Sequence, residues 1–228
     1  SAEVIWDPGQ CEGIADVYAS LRLDDSCIGR HFKVVNCHGY GNACTSCTGI
    51  RDIDWAKHTA NTPFGMANAD ANCETGPAPC GGGVHCEGQI YSQAVWDLWN
   101  RDLVGAPFNL DLDVAREVAT QLTYRGAPGV SAWYACTNGL GGCGNPAGCG
   151  CSATSGYQQY LAADDDNGNL SDGTPHMGAI FAAFSRHGIA CTTPTVTTAG
   201  CSGTPTVVPV VTPTALDRGV ALSWTASA

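Results

Sequence analysis

The sequence predicts a mainly α fold, and three observations carry that prediction. Apolar residues recur every three to four positions in several stretches, as in helices that bury one face. The intervening stretches are rich in Gly, Pro, Asn and Cys, the composition of loops. Clear strand-like alternation appears near the C-terminus, at Val220, Leu222 and Trp224.

The first helix is predicted over residues 11–21, where Ile14, Val17 and Leu21 form an apolar face. Glu12 and Asp16, four apart, leave that helix together on another face. Their repulsion costs a few tenths of a kcal/mol in an isolated helix. A bound metal with its histidine, an arginine or plain solvation would offset it. Spacing alone fits a solvated acidic face. Residues 24–50 read as loop with one short strand at 31–35, and residues 52–58 as one or two helical turns. Residues 61–83 read as a long ordered loop.

A second helix is predicted over 87–103. Ile90, Ala94, Val95, Leu98 and Leu103 form its stripe, with Tyr91, Trp96 and Trp99 beside it, which makes it a central buried helix. A third, over 112–122, turns Val114, Ala115, Val118, Ala119 and Leu122 inward. A short helix follows at 157–163. The helix over 175–187 has Thr174 as a cap, Pro175 at its first position and Gly188 just past its end. Ile180, Phe181 and Phe184 are its core face.

The chain has 228 residues, 44% of them hydrophobic, enough for one domain with a sizeable core and a fragment of a second. A net charge of -11 with 10 Lys+Arg argues against nucleic acid or an anionic membrane surface as partner. No apolar run is long enough for a membrane span, and no signal peptide is expected within these residues. Fourteen cysteines allow up to seven disulfides and point to an extracellular location, secreted or at the cell surface. Cys73 with Cys80 and Cys191 with Cys201 would close short loops; Cys136, Cys143, Cys149 and Cys151 would pair among themselves or close by. Structural zinc on Cys44-x-x-Cys47 and Cys149-x-Cys151 is the rival reading.

The segment DDDNGNLSD offers oxygens at Asp164, Asp166, Asn167, Asn169 and Asp172, bent by Gly168, which suits calcium. The alternative is a solvated acidic turn capping the next helix. Asn169-Leu170-Ser171 is also formally a glycosylation sequon.

Several motifs resemble one family when read in order. Glu12-Gly13-Ile14-Ala15-Asp16-Val17 resembles the third-ligand helix of zinc peptidases of the thermolysin and fungalysin kind (gluzincins). Gly82-Gly83-Val84-His85 ahead of a long helix, Gly88 and Tyr91 within it, and Arg51 in Gly49-Ile50-Arg51-Asp52 match further segments. MGAIFAAFSRHGI resembles the family's last helix. The resemblance implies that residues 1–191 form the helical C-terminal lobe of such a peptidase, with disulfide-tied loops. It implies that Glu12 is a zinc ligand and that Asp16 orients a zinc-bound histidine. His85 and Arg51 would stabilise the oxyanion. The implied activity is hydrolysis of peptide bonds in a peptide or protein substrate.

The sequence also departs from that pattern. H-E-x-x-H, which carries two zinc ligands and the general base, does not occur in it. Those groups are expected from an N-terminal catalytic half, and the 228 residues alone are expected to be inactive. No acid lies between Cys80 and Val84 to partner His85, and Cys11 stands where an Asn commonly precedes the ligand Glu. A Thr/Pro/Ser linker is expected over 192–205. The opening strands of a fibronectin-III-like domain, truncated, are expected over 206–228, with a turn at Asp217-Arg218-Gly219. The competing function is a non-catalytic extracellular structural or assembly subunit. A carbohydrate- or surface-binding module would rest on Trp133 and Tyr134.

Overall fold

The computed structural model describes residues 9–32, 44–65, 84–134, 149–191, 211–216 and 219–224. Helix α1 (Gly9–Leu23) leads into a short antiparallel ribbon, β1 (Cys27–Ile28) against β2 (Arg51–Asp52), with Ile28 opposite Arg51. A 3-10 turn (Trp55–Lys57) follows. Helix α2 (Val84–Asp97) continues into a π-helical turn (Leu98–Asp102), and α3 (Leu112–Gly126), α4 (Gly156–Asp164) and α5 (Met177–Arg186) come after it. Strands β3 (Val211–Leu216) and β4 (Gly219–Trp224) pair as an antiparallel hairpin, Val211 opposite Trp224. The fold is mainly α. No helix among the described residues is long and apolar enough to cross a membrane.

Helix α2 is central for the reason its sequence gives. Ile90, Tyr91, Ala94, Val95, Trp96, Leu98, Trp99 and Leu103 are all buried, so the segment meets neighbours on almost every side. Helix α1 packs along it, burying Val17 and Leu21. A chain of hydroxyls crosses the core: the Tyr91 hydroxyl lies 2.6 Å from that of Tyr160 on α4, which lies 2.7 Å from Thr123 Oγ1 on α3. Trp133 stacks on Tyr91 with ring centroids 3.7 Å apart.

Helix boundaries follow local chemistry. The Asp111 carboxylate accepts from the Asp113 amide at the start of α3, and Ser155 Oγ accepts from the Gln158 amide at the start of α4. Ser155 Oγ also donates to the Gly150 carbonyl at 2.9 Å, in a fully buried position. Ser155→Ala is expected to lower stability by about 1–2 kcal/mol, read as a lower urea midpoint with an unchanged slope.

Several expectations need correction. Cys191 bonds Cys151, 40 residues away, rather than Cys201, and Cys151 therefore does not pair within the Gly-rich stretch. A second disulfide joins Cys27 to Cys47; Cys44 and Cys149 are disulfide-bonded too, which leaves Cys44, Cys47, Cys149 and Cys151 no thiolate for structural zinc. Val114 is exposed, because α3 turns Ala115, Ala119 and Leu122 to the core. Helix α5 starts at Met177; the Thr174 hydroxyl goes to Asp164 instead of capping it, while Gly188 has the left-handed φ of 68° expected after its end. Trp133 and Tyr134 are buried, so they offer no binding platform. His31 and Phe32 lie in a turn; the rest of the strand expected at 31–35, the Cys73–Cys80 pairing, the linker over 192–205 and the turn at Asp217-Arg218 lie outside the described residues.

Candidate functional site

Three elements bring Glu12, Asp16, Arg51 and His85 together. Glu12 and Asp16 stand one turn apart on α1, Arg51 on β2 and His85 in the first turn of α2. Asp16 is buried, and Arg51 meets it with a two-pronged fork: Nε donates to Oδ2 at 2.6 Å and Nη2 to Oδ1 at 2.9 Å. Arg51 is itself 5% exposed, and its Nη2 lies 3.5 Å from Glu12 Oε2. His85 Nδ1 lies 2.8 Å from the same Glu12 oxygen, with both side chains about a third exposed. Burial pushes the Asp16 carboxyl above its ordinary value, and the Arg51 fork only partly reverses that. Arg51 thus relieves the repulsion between the two acids.

This arrangement follows from how the elements meet. The Cys27–Cys47 disulfide closes the loop leading to β2, and the β1–β2 pairing turns Arg51 inward. At the α1–α2 contact, a Cβ on Gly13 would sit 2.6 Å from the Gly88 carbonyl oxygen and 3.2 Å from Tyr91 Cδ1. Glycine at 13 lets the helices approach closely enough for Glu12 to reach His85. Gly13→Ala should therefore force α1 off α2 at a net cost of about 1–3 kcal/mol, even though Ala favours helix. A thermal melt is the check; an Ala variant as stable as the parent would show that the contact can relax freely.

The resemblance assigned Asp16 to a zinc-bound histidine, but among the described residues its carboxylate is held by Arg51. Among the same residues no three His, Cys, Asp or Glu side chains converge as a metal-binding group. Glu12 offers one partly exposed carboxylate, whereas a catalytic zinc takes three protein ligands.

The segment expected to offer oxygens to calcium carries local hydrogen bonds. Asp164 Oδ2 accepts from Thr174 Oγ1 and from the His176 amide, both at 2.6 Å, and Oδ1 lies 2.7 Å from His176 Nδ1. This carboxylate organises the entry to α5. Asn167 Nδ2 donates to Asp172 Oδ2, Asn169 Oδ1 accepts from Ser171, and Asp166 is exposed.

Sequence reasoning missed a buried polar centre around Asp97, the last residue of α2. Its carboxylate takes Trp55 Nε1 at 2.9 Å, Arg101 Nε at 2.7 Å, Arg186 Nη1 at 2.7 Å and His187 Nε2 at 3.2 Å. Arg101 reaches on to Asp54 and Arg186 to Asp102, while His187 Nδ1 faces the Phe64 carbonyl. Burial alone would raise the Asp97 carboxyl, but the His187 contact, the Trp55 donor and the Arg186 charge bring it down to about 2. The available signals were an acid inside an apolar helix, Asp97 and Arg101 at helical spacing, and an adjacent Arg186-His187 pair. The chain was compared with protein-family models, curated proteins and solved structures, and none of them matches it.

Proposed function

We propose that this chain is the C-terminal lobe of a secreted zinc endopeptidase, with its remaining zinc ligands and general base on an N-terminal half carrying H-E-x-x-H. The supporting observation is the meeting of Glu12, Asp16, Arg51 and His85, residues from three elements that the gluzincin resemblance singled out one by one. Glu12 presents a partly exposed carboxylate as one zinc ligand. The buried Arg51 holds its fork on Asp16 with Nη2 3.5 Å from Glu12 Oε2, and His85 Nδ1 lies 2.8 Å from that same oxygen, so both side chains border the Glu12 carboxylate. Such preorganised donors favour negative charge on a substrate carbonyl oxygen. Disulfides among the described residues agree with an oxidising, extracellular setting. The β3–β4 hairpin would open an appended fibronectin-III-like domain.

The test is metal analysis and chelator-sensitive peptide cleavage by the natural product containing this chain, with and without Glu12→Gln. Bound zinc, weakened at least about 100-fold in the variant together with loss of cleavage, is expected. Zinc content and cleavage indifferent to Glu12→Gln would sink the reading. A second reading, a non-catalytic extracellular structural or assembly subunit, is favoured by one observation: Arg51 lies against both acids, so the cluster is largely balanced by its own charges. A natural product that takes up no zinc would select it.

A further inference from the structure

We propose that Asp97 is a positioning residue for Arg51: the carboxylate at the end of α2 clamps the segment after β2, so that the Arg51 guanidinium is held in place relative to His85 at the other end of the same helix. The inference rests on the reading of Arg51 and His85 as partners in one site. His85 and Asp97 are separated by twelve residues of helix, about 18 Å.

Locally, the Cys27–Cys47 disulfide and backbone hydrogen bonds on either side of Arg51, Ile50 to Ile28 and Ile53 to Ser26, hold the backbone of β2, and the clamp adds a tie to α2 beyond that short ribbon. Strands β1 and β2 pair over two residues each, and a two-stranded ribbon is marginal even when longer. Yet Arg51 must hold a guanidinium within a few tenths of an ångström to keep its fork on Asp16. Four residues further on, Trp55 is fastened to Asp97 through its indole nitrogen. Arg101 reinforces the same segment twice, by its hydrogen bond to Asp54 at 2.6 Å and by lying 4.5 Å from the Trp55 ring centroid. The later part of the segment is fastened as well: the Phe64 amide donates to Gln93 on α2, and its carbonyl faces His187. Ile53, between Arg51 and Trp55, is fully buried, so this stretch has little freedom to absorb a shift.

The chemistry of the clamp fits a positioning role. A carboxylate has about four lone-pair sites, and Asp97, with no exposed surface, accepts from Trp55, Arg101 and Arg186 with the His187 ring nitrogen 3.2 Å away. Buried ionic groups of this kind seldom add stability over well-packed apolar residues. What they add is direction, since each donor fits in one orientation. Arg101 and Arg186 come from the π-helical turn and from α5, so Asp97 ties three parts of the chain to one point of α2. The π turn begins at the next residue and sets the direction from which Arg101 returns to Asp97.

The experiment is nuclear magnetic resonance of the full 228-residue chain labelled with nitrogen-15 at arginine. The Arg51 Nε–H signal is identified by its loss in Arg51→Lys. Asp97→Asn keeps the shape of the side chain but puts a donor where two arginines and an indole need an acceptor. The expected result is a displaced Arg51 Nε–H signal that exchanges with solvent at least about tenfold faster. Ser155→Ala, a destabilising change at a hydroxyl bonded to Gly150 and Gln158, should leave that signal in place. Should Asp97→Asn fail to fold, Trp55→Phe removes the indole donor, keeps an aromatic ring beside Arg101, and should shift the signal in the same direction. An Arg51 signal unchanged in the folded Asp97→Asn chain, or in Trp55→Phe, overturns the proposal. So does an equal shift in Ser155→Ala. None of these readouts uses zinc or peptide cleavage, so the clamp and the peptidase reading fail by different results.

Discussion

Arg51→Ala is expected to destabilise the folded chain by about 3–5 kcal/mol, the cost of removing one partner of a buried pair. The reason lies in Asp16 rather than in Arg51. Asp16 is 3% exposed, and both of its oxygens are satisfied by the one guanidinium. Without that partner a carboxylate is left inside the α1–α2 contact with neither water nor a donor. Burial already pushes this carboxyl upward with Arg51 present. Replacing both residues together, as Asp16→Leu with Arg51→Met, removes the orphaned charge and should recover most of the loss. Urea unfolding of the two single variants and the double variant measures this. If the double variant is as unstable as the sum of the singles, packing rather than charge holds the site, and the coupling inferred here is absent.

The fold and the site were legible to different degrees, for physical reasons. Helix periodicity located α2, because a segment buried all round must be apolar all round, and Ile90 to Leu103 shows that directly. The four candidate residues were singled out because the motifs that carry the resemblance keep their order along the chain. What the motif leaves out is who touches whom. Arg51 on Asp16 is a contact across 35 residues, and nothing in the sequence spacing encodes it. The inward face of α3 was one position off at Val114, since Ala115 and Ala119 alone already define a narrow apolar stripe. The Cys151–Cys191 bond escaped because a nearby cysteine looks like a better partner in sequence than a distant one that folding brings close. Asp97 escaped because its donors come from the 52–58 turn, from its own helix and from α5, and each looks like an ordinary surface residue when read alone.

That buried centre leads to the second large effect, an acid-sensitive loss of stability traceable to one carboxylate. Asp97 is held down to about 2 in the folded chain, against an ordinary value of 3.8 for an unfolded aspartate. A group whose folded value is depressed stabilises the fold fully above its unfolded value. That stabilisation is lost as pH falls through the folded value. For Asp97 the window runs from about pH 4 down to about pH 2, and the loss is about 2 kcal/mol. The neighbours facing this carboxylate are Arg101, Arg186 and His187, with Asp54 and Asp102 on the far sides of the arginines. Asp102 works in the opposite sense, since burial, only partly offset by Arg186, holds it above its ordinary value. At neutral pH Asp97→Asn should cost about 3 kcal/mol, the lower end for a broken buried pair, because Arg101 keeps Asp54 and Arg186 keeps Asp102. The difference between parent and variant should then shrink by about 2 kcal/mol as pH falls through that window, since protonation makes the parent resemble the variant. Unfolding by urea at neutral pH and at several acidic values gives both curves. Parallel curves would mean that Asp97 does not carry the charge on which Trp55, Arg101 and Arg186 converge.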